Sequence, residues 1–207
     1  MKQLLIILSL FIGIYLHGQT AEASFKKGVL KYNTKDYKGA IPDFTKTISL
    51  NPKHAGAYYY RASCKQRTED YKGAIEDYSK AIKIKPTYAD AYTNRGHCKF
   101  NLLNYRGTAE DYKAIIADYS KAIELNPKDT LAYLHRGDTR EYLKDYAGAL
   151  FDYTKICDLT PANAEAYYYK GNCENKLGDK ESACADWKKA RELGDMRAYQ
   201  YISTNCN

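Results

Sequence analysis

The chain has 207 residues, with 32 Lys and Arg against 25 Asp and Glu, a formal net charge of +7. The charges are mixed along the chain and form no basic stripe, which argues against a nucleic-acid surface. Six cysteines are read according to compartment: paired in an oxidising one, and thiol or metal-binding elsewhere.

The first element is the leader. Met1 and Lys2 precede "LLIILSLFIGIYL", which carries no charge and is too short to span a bilayer comfortably. Residues 1–19 therefore read as a secretory signal peptide, with cleavage after Gly18, Gln19 or Ala23, and an uncleaved anchor as the alternative. Removal of Lys2 lowers the charge to +6. The expectation is an exported protein, periplasmic or secreted, from a Gram-negative-type bacterium.

The rest of the chain repeats. Pro52 and Pro86 are 34 residues apart, as are Pro127 and Pro161, while Pro86 and Pro127 are separated by 34 plus seven. Gly28, Ala62, Gly96, Gly137 and Gly171 share a small-residue column. Phe44, Tyr78, Tyr119, Tyr153 and Trp187 share an aromatic one; Ala40, Ala74, Ile115, Ala149 and Ala183 share a third. Tyr37, Tyr71, Tyr105 and Tyr146 mark a turn. Apolar residues recur at helical spacing, broken by Asp-Tyr-x-Gly and stopped before Pro, so each unit reads as two helices. Neither helix can bury its apolar face alone, so the units must stack.

These columns resemble the tetratricopeptide repeat, in tyrosine-rich form. The resemblance implies an all-α, right-handed solenoid with five units at about 21–54, 55–88, 89–129, 130–163 and 164–195, and a capping helix at 196–207. It also implies that the first helices line a concave groove that binds a protein or peptide. Carried over by column, the groove would show Phe25, Tyr59, Thr93, Leu134 and Tyr168. A second row would be Val29, Ser63, His97, Asp138 and Asn172, and a third Tyr32, Gln66, Phe100, Glu141 and Asn175. The subtype that clamps acidic tails uses Lys and Asn in these rows; here the first row has no Lys and only Asn172 matches in the second, so that clamp is not expected. Docking through the convex face or through the third unit is the alternative reading.

Seven inserted residues make about two α-helical turns, which returns an apolar stripe almost to its old face. Asp111-Tyr112 repeats as Asp118-Tyr119. The expectation is a second helix in unit three lengthened by two turns and capped near Thr108; a loop at 106–108 before an ordinary helix is the alternative. Lys27, Arg61, Arg95, Arg136 and Lys170 form a basic column, and Asp43, Asp77, Asp118, Asp152 and Asp186 an acidic one. Opposite sign in every copy points to structural ion pairs.

Cys184 opens the last second helix and Cys206 ends the cap, so antiparallel packing brings them together as a disulfide. Cys157 and Cys173 are a further possible pair, whereas Cys64 and Cys98 sit about one helix spacing apart, which argues against a bond between them. The Cys and His residues lack metal-ligand spacing, and no catalytic motif stands out from the repeat. The expectation is a non-enzymatic binding module without cofactor or metal, its partner a protein or peptide rather than nucleic acid, and its mature chain free of a membrane span.

Overall fold

The computed structural model describes residues 20–103 and 106–206. The expected signal peptide lies outside these residues, as do Tyr105 of the turn column and the last residue of the cap. The described residues form helices and turns, without a strand. They fall into two compact units, divided between Leu103 and Asn104.

Unit 1 holds α1, described over residues 20–33, α2 (Tyr37–Leu50), α3 (Ala55–Arg67), α4 (Tyr71–Ile84) and α5 (Ala89–Leu103). Unit 2 holds α6 (Ala109–Leu125), α7 (Thr130–Tyr142), α8 (Tyr146–Leu159), α9 (Ala164–Leu177), α10 (Lys180–Glu192) and α11 (Arg197–Asn205). In each unit a helix packs on the one before and the one after it. This is the stacking of a helical solenoid.

One local device starts the second helices of four repeats. The residue before the cap is left-handed, at Lys35, Glu69, Lys144 and Gly178. The next residue, Asp36, Asp70, Asp145 or Asp179, donates its N–H back five positions to close the first helix. Its carboxylate then accepts the N–H three residues on, at 2.9–3.1 Å, and caps the second helix. Second helices end at Asn51, Lys85, Asn126 and Thr160, each followed by Pro, which cannot continue a helix.

The aromatic column fills the space between paired helices. Phe44, Tyr78, Tyr119, Tyr153 and Trp187 are all buried. A Cβ on Gly28, Gly137 or Gly171 would come within 2.7–2.8 Å of the ring of Phe44, Tyr153 or Trp187. The small column is therefore set by how closely each ring crosses the first helix.

The seven extra residues of the third repeat are distributed differently from the expectation. α6 has 17 residues against 14 in α2, α4 and α8, so it gains three residues, less than one turn. α5 is described over 15 residues, against 13 in α3 and α7. The cap does fall on Thr108, whose hydroxyl accepts the Asp111 N–H while Asp111 accepts the Thr108 N–H. Asp111 occupies the column of the capping Asp36 and Asp70, but here sits inside the helix. Tyr112, rather than Tyr105, takes the column of Tyr37, Tyr71 and Tyr146. Tyr112 is buried, with its ring 4.4 Å from that of Tyr142.

Candidate functional site

The charge columns pair within repeats one, two, four and five. Asp77 receives Arg61 through two nitrogens at 2.7 and 2.8 Å, and Lys65 at 2.8 Å. Asp152 is fully buried and held by Arg136 and Arg140, each at 2.7 Å. Asp43 takes Lys31 and Lys27. Repeat five inverts this balance: Lys170 is shared by Asp186 at 2.5 Å and Glu174 at 3.3 Å. Burial and the neighbouring Asp186 push the Glu174 carboxyl up to about 7. Arg95 and Asp118 belong to different units. These cations are committed to carboxylates, so the column is structural, as the complementary signs imply.

The first-helix face of unit 1 carries an assembly of aromatic rings. Phe25 lies 4.5 Å from His54, 5.7 Å from Tyr60 and 5.8 Å from Phe44. Tyr60 stacks on Phe44 and meets Tyr32 and Tyr59 edge-on. Tyr59 stacks on Tyr88 at 4.6 Å, and its hydroxyl accepts the Asn94 amide at 3.3 Å. Burial and the nearby Asp90 raise the Tyr59 phenol above its ordinary range, so it stays protonated. Phe25, Tyr59, Tyr60 and Tyr88 are half-buried, each with part of its surface open. Thr93 is 7% exposed and belongs to the core; His97 is half-buried.

In unit 2, Leu134 packs against the α8–α9 core. Tyr168 is 8% exposed, enclosed by the α10–α11 core and by the Arg197 guanidinium 4.5 Å from its ring. Thr93 and Tyr168 are thus too enclosed to line an open groove: their side chains fill the spaces between successive helices. Arg197 also binds Asp195 and reaches Glu165 and the Tyr169 hydroxyl. A shallow cleft of about 490 Å³ opens beside it, lined by Ala164, Glu165 and Leu193–Arg197.

The second and third rows have a role the columns did not reveal. Tyr78 donates to Gln66 at 2.7 Å, and Trp187 to Asn172 at 3.0 Å. Tyr153 lies 2.9 Å from both Asp138 and Glu141. Phe44 has no polar atom, and its repeat has Val29 in the row where repeats four and five carry Asp138 and Asn172. These polar residues satisfy the aromatic column.

Tyr60 and Tyr169 fall outside the three rows carried over by column. Tyr60 stacks on Phe44, and Tyr169 stacks on Tyr153, each covering the aromatic residue of the preceding repeat. The signal was present in "AYYYR" and "AYYYK", which recur in repeats two and five.

Cys184 and Cys206 form the expected disulfide, Cα atoms 5.6 Å apart, tying α11 to α10. Cys157 and Cys173 do not pair; they are free, as are Cys64 and Cys98, and all four are buried. Burial pushes Cys64 and Cys98 up to about 12 and Cys157 to about 11, so these remain thiols at neutral pH and are weak nucleophiles. Among the described residues, no group of three His, Cys, Asp or Glu is placed to hold a metal. No helix among them is long and apolar enough to cross a membrane.

Family models match three stretches: a TPR repeat model residues 67–102, and tetratricopeptide repeat models residues 21–54 and 165–193. The MamA protein is similar over 88% of this chain and 96% of that one, with 24% identity and a TM-score of 0.76. YrrB, described as a TPR protein with an unusual peptide-binding site, shows 21% identity over 87% and 90%, with a TM-score of 0.74. The Pseudomonas aeruginosa protein PilF shows 18% identity over 88% and 81%, with a TM-score of 0.71. No curated protein sequence matches significantly. The columns, the paired helices and these matches agree: the chain belongs to the tetratricopeptide-repeat family.

Proposed function

We propose that this protein is a non-catalytic docking module that binds a protein or peptide segment on its first-helix face. The carrying observation is the aromatic assembly of unit 1. Phe25, Tyr59, Tyr60 and Tyr88 hold one another by ring contacts and keep part of their surface open. Rings fixed in this way offer large contact area with little rotamer entropy left to lose. The peptide-binding site named for YrrB supports the same class of partner by analogy of fold. Phe25 and Tyr59 would make contact directly. Leu134, Asp138 and Asn172 would shape the face of unit 2, while Thr93 and Tyr168 would support from beneath.

The leader-like start and the Cys184–Cys206 disulfide support export to an oxidising compartment. The test is affinity capture from envelope extract with residues 24–207, beside a Tyr59→Ala/Tyr60→Ala variant of unchanged helicity. A partner retained by the parent and lost by the variant supports the reading. Equal retention refutes it and moves docking elsewhere, such as to the exposed first turn of α6.

A further inference from the structure

We propose that Asp138, Tyr153 and Glu141 of repeat four share one proton beyond that of the tyrosine, carried by Glu141, and that its loss is a pH-sensitive switch in the α7–α8–α9 packing.

The basis is a count of protons. A phenolic hydroxyl has one proton to donate. Tyr153 Oη lies 2.9 Å from Asp138 Oδ1 and 2.9 Å from Glu141 Oε2. If both carboxyls were ionised, one would face an oxygen lone pair at that distance and be repelled. A single O–H can be shared between them only as a weaker three-centre bond, and two full hydrogen bonds form when one carboxyl is protonated. Tyr153 then accepts from that carboxyl and donates to the other.

Burial selects Glu141 as the carrier. It is half-buried, and desolvation leads the causes that raise its carboxyl above the ordinary 4.5. Asp138 is the more open group, with 41% of its side chain exposed. From α7, His135 stands 3.9 Å from Asp138. From α9, the Cys173 thiol and Lys176 face Glu141, and the Tyr169 ring stacks on Tyr153. From α11, Tyr201 is close enough to interact with Glu141. Hydrogen bonds to Tyr153 and Cys173 and the Lys176 charge favour ionised Glu141, and burial together with the Asp138 charge outweighs them.

Other copies show that the arrangement is particular to repeat four. Tyr78 meets the neutral Gln66, and Trp187 the neutral Asn172. Ionising Glu141 places a second negative charge against a fully buried tyrosine at the centre of the α7–α9 core. Because Glu141 titrates higher folded than unfolded, its stabilisation is complete below about 4.5 and declines as pH rises through the folded value. This holds whatever docks on the first-helix face.

The experiment is a carboxyl NMR titration of the full chain labelled at glutamate, with Glu141 assigned by its loss in Glu141→Gln. The wild-type midpoint is expected above 4.5, and Asp138→Asn is expected to lower it by removing the like charge. A midpoint at or below 4.5 overturns the proposal, as does a raised midpoint that ignores Asp138→Asn. Should Asp138→Asn fold poorly, thermal melting decides. A glutamine amide donates to Tyr153 as the protonated acid would, so Glu141→Gln should gain on wild type as pH rises from 4.5. Parallel curves would refute the shared proton.

Discussion

Repeats two and five begin with almost the same helix, "AYYYR" and "AYYYK", yet they balance charge in opposite ways. In repeat two a single carboxylate, Asp77, collects two cations; in repeat five a single cation, Lys170, serves two carboxylates. One position makes the difference: Lys65 in repeat two is Glu174 in repeat five. Shape is thus repeated more faithfully than electrostatics. The repeat fixes ring packing and caps, and leaves the polar layer free to make one unit pH-tolerant and another pH-sensitive.

Breaking the charge pairs gives the largest expected effect. Asp77→Ala strands Arg61 and Lys65 and should cost about 3–5 kcal/mol, read by urea denaturation. Next comes the staple of repeat five. Cys206→Ser removes a cross-link across 22 residues and should lower stability by about 3 kcal/mol.

A smaller effect sharpens the electrostatic contrast. The Glu174 carboxyl stands at about 7 folded and 4.5 unfolded. Its contribution is complete below 4.5 and lost as pH rises through 7. Glu174→Gln should therefore gain on the parent by on the order of 2 kcal/mol between pH 5 and pH 8. The smallest effect concerns the shared turn. Glu69 holds φ 64 where repeat five has Gly178 at φ 92. Glu69→Gly should stabilise by up to about 1 kcal/mol, and Gly178→Ala should destabilise by about as much.

Much of this architecture was readable in the sequence. The small and aromatic columns placed paired helices, opposite charges at fixed spacing foretold Arg61–Asp77 and Arg136–Asp152, and the positions of Cys184 and Cys206 foretold their bond. The third repeat was only partly legible. A seven-residue insertion preserves the helical face whether it enters one helix or is divided among two helices and their connection. Thr108 and Asp111 carried the capping signal, whereas the identity of Tyr112 as the turn tyrosine depended on where the helix starts. The polar rows were hardest. Gln66, Asp138, Glu141 and Asn172 looked like groove lining. Their bonds to Tyr78, Tyr153 and Trp187 span 12–15 residues and depend on how the two helices of a pair are rotated. Enclosure of Thr93 and Tyr168 follows from the same rotation.

Docking on the first-helix face of unit 1 is best checked by backbone amide hydrogen exchange with the captured partner bound. Exchange should slow in α1, α3 and α5, around Phe25, Tyr59 and Tyr60, with α2 and α4 unchanged. Slowing confined to the second helices, or to the first turn of α6, would rule that face out.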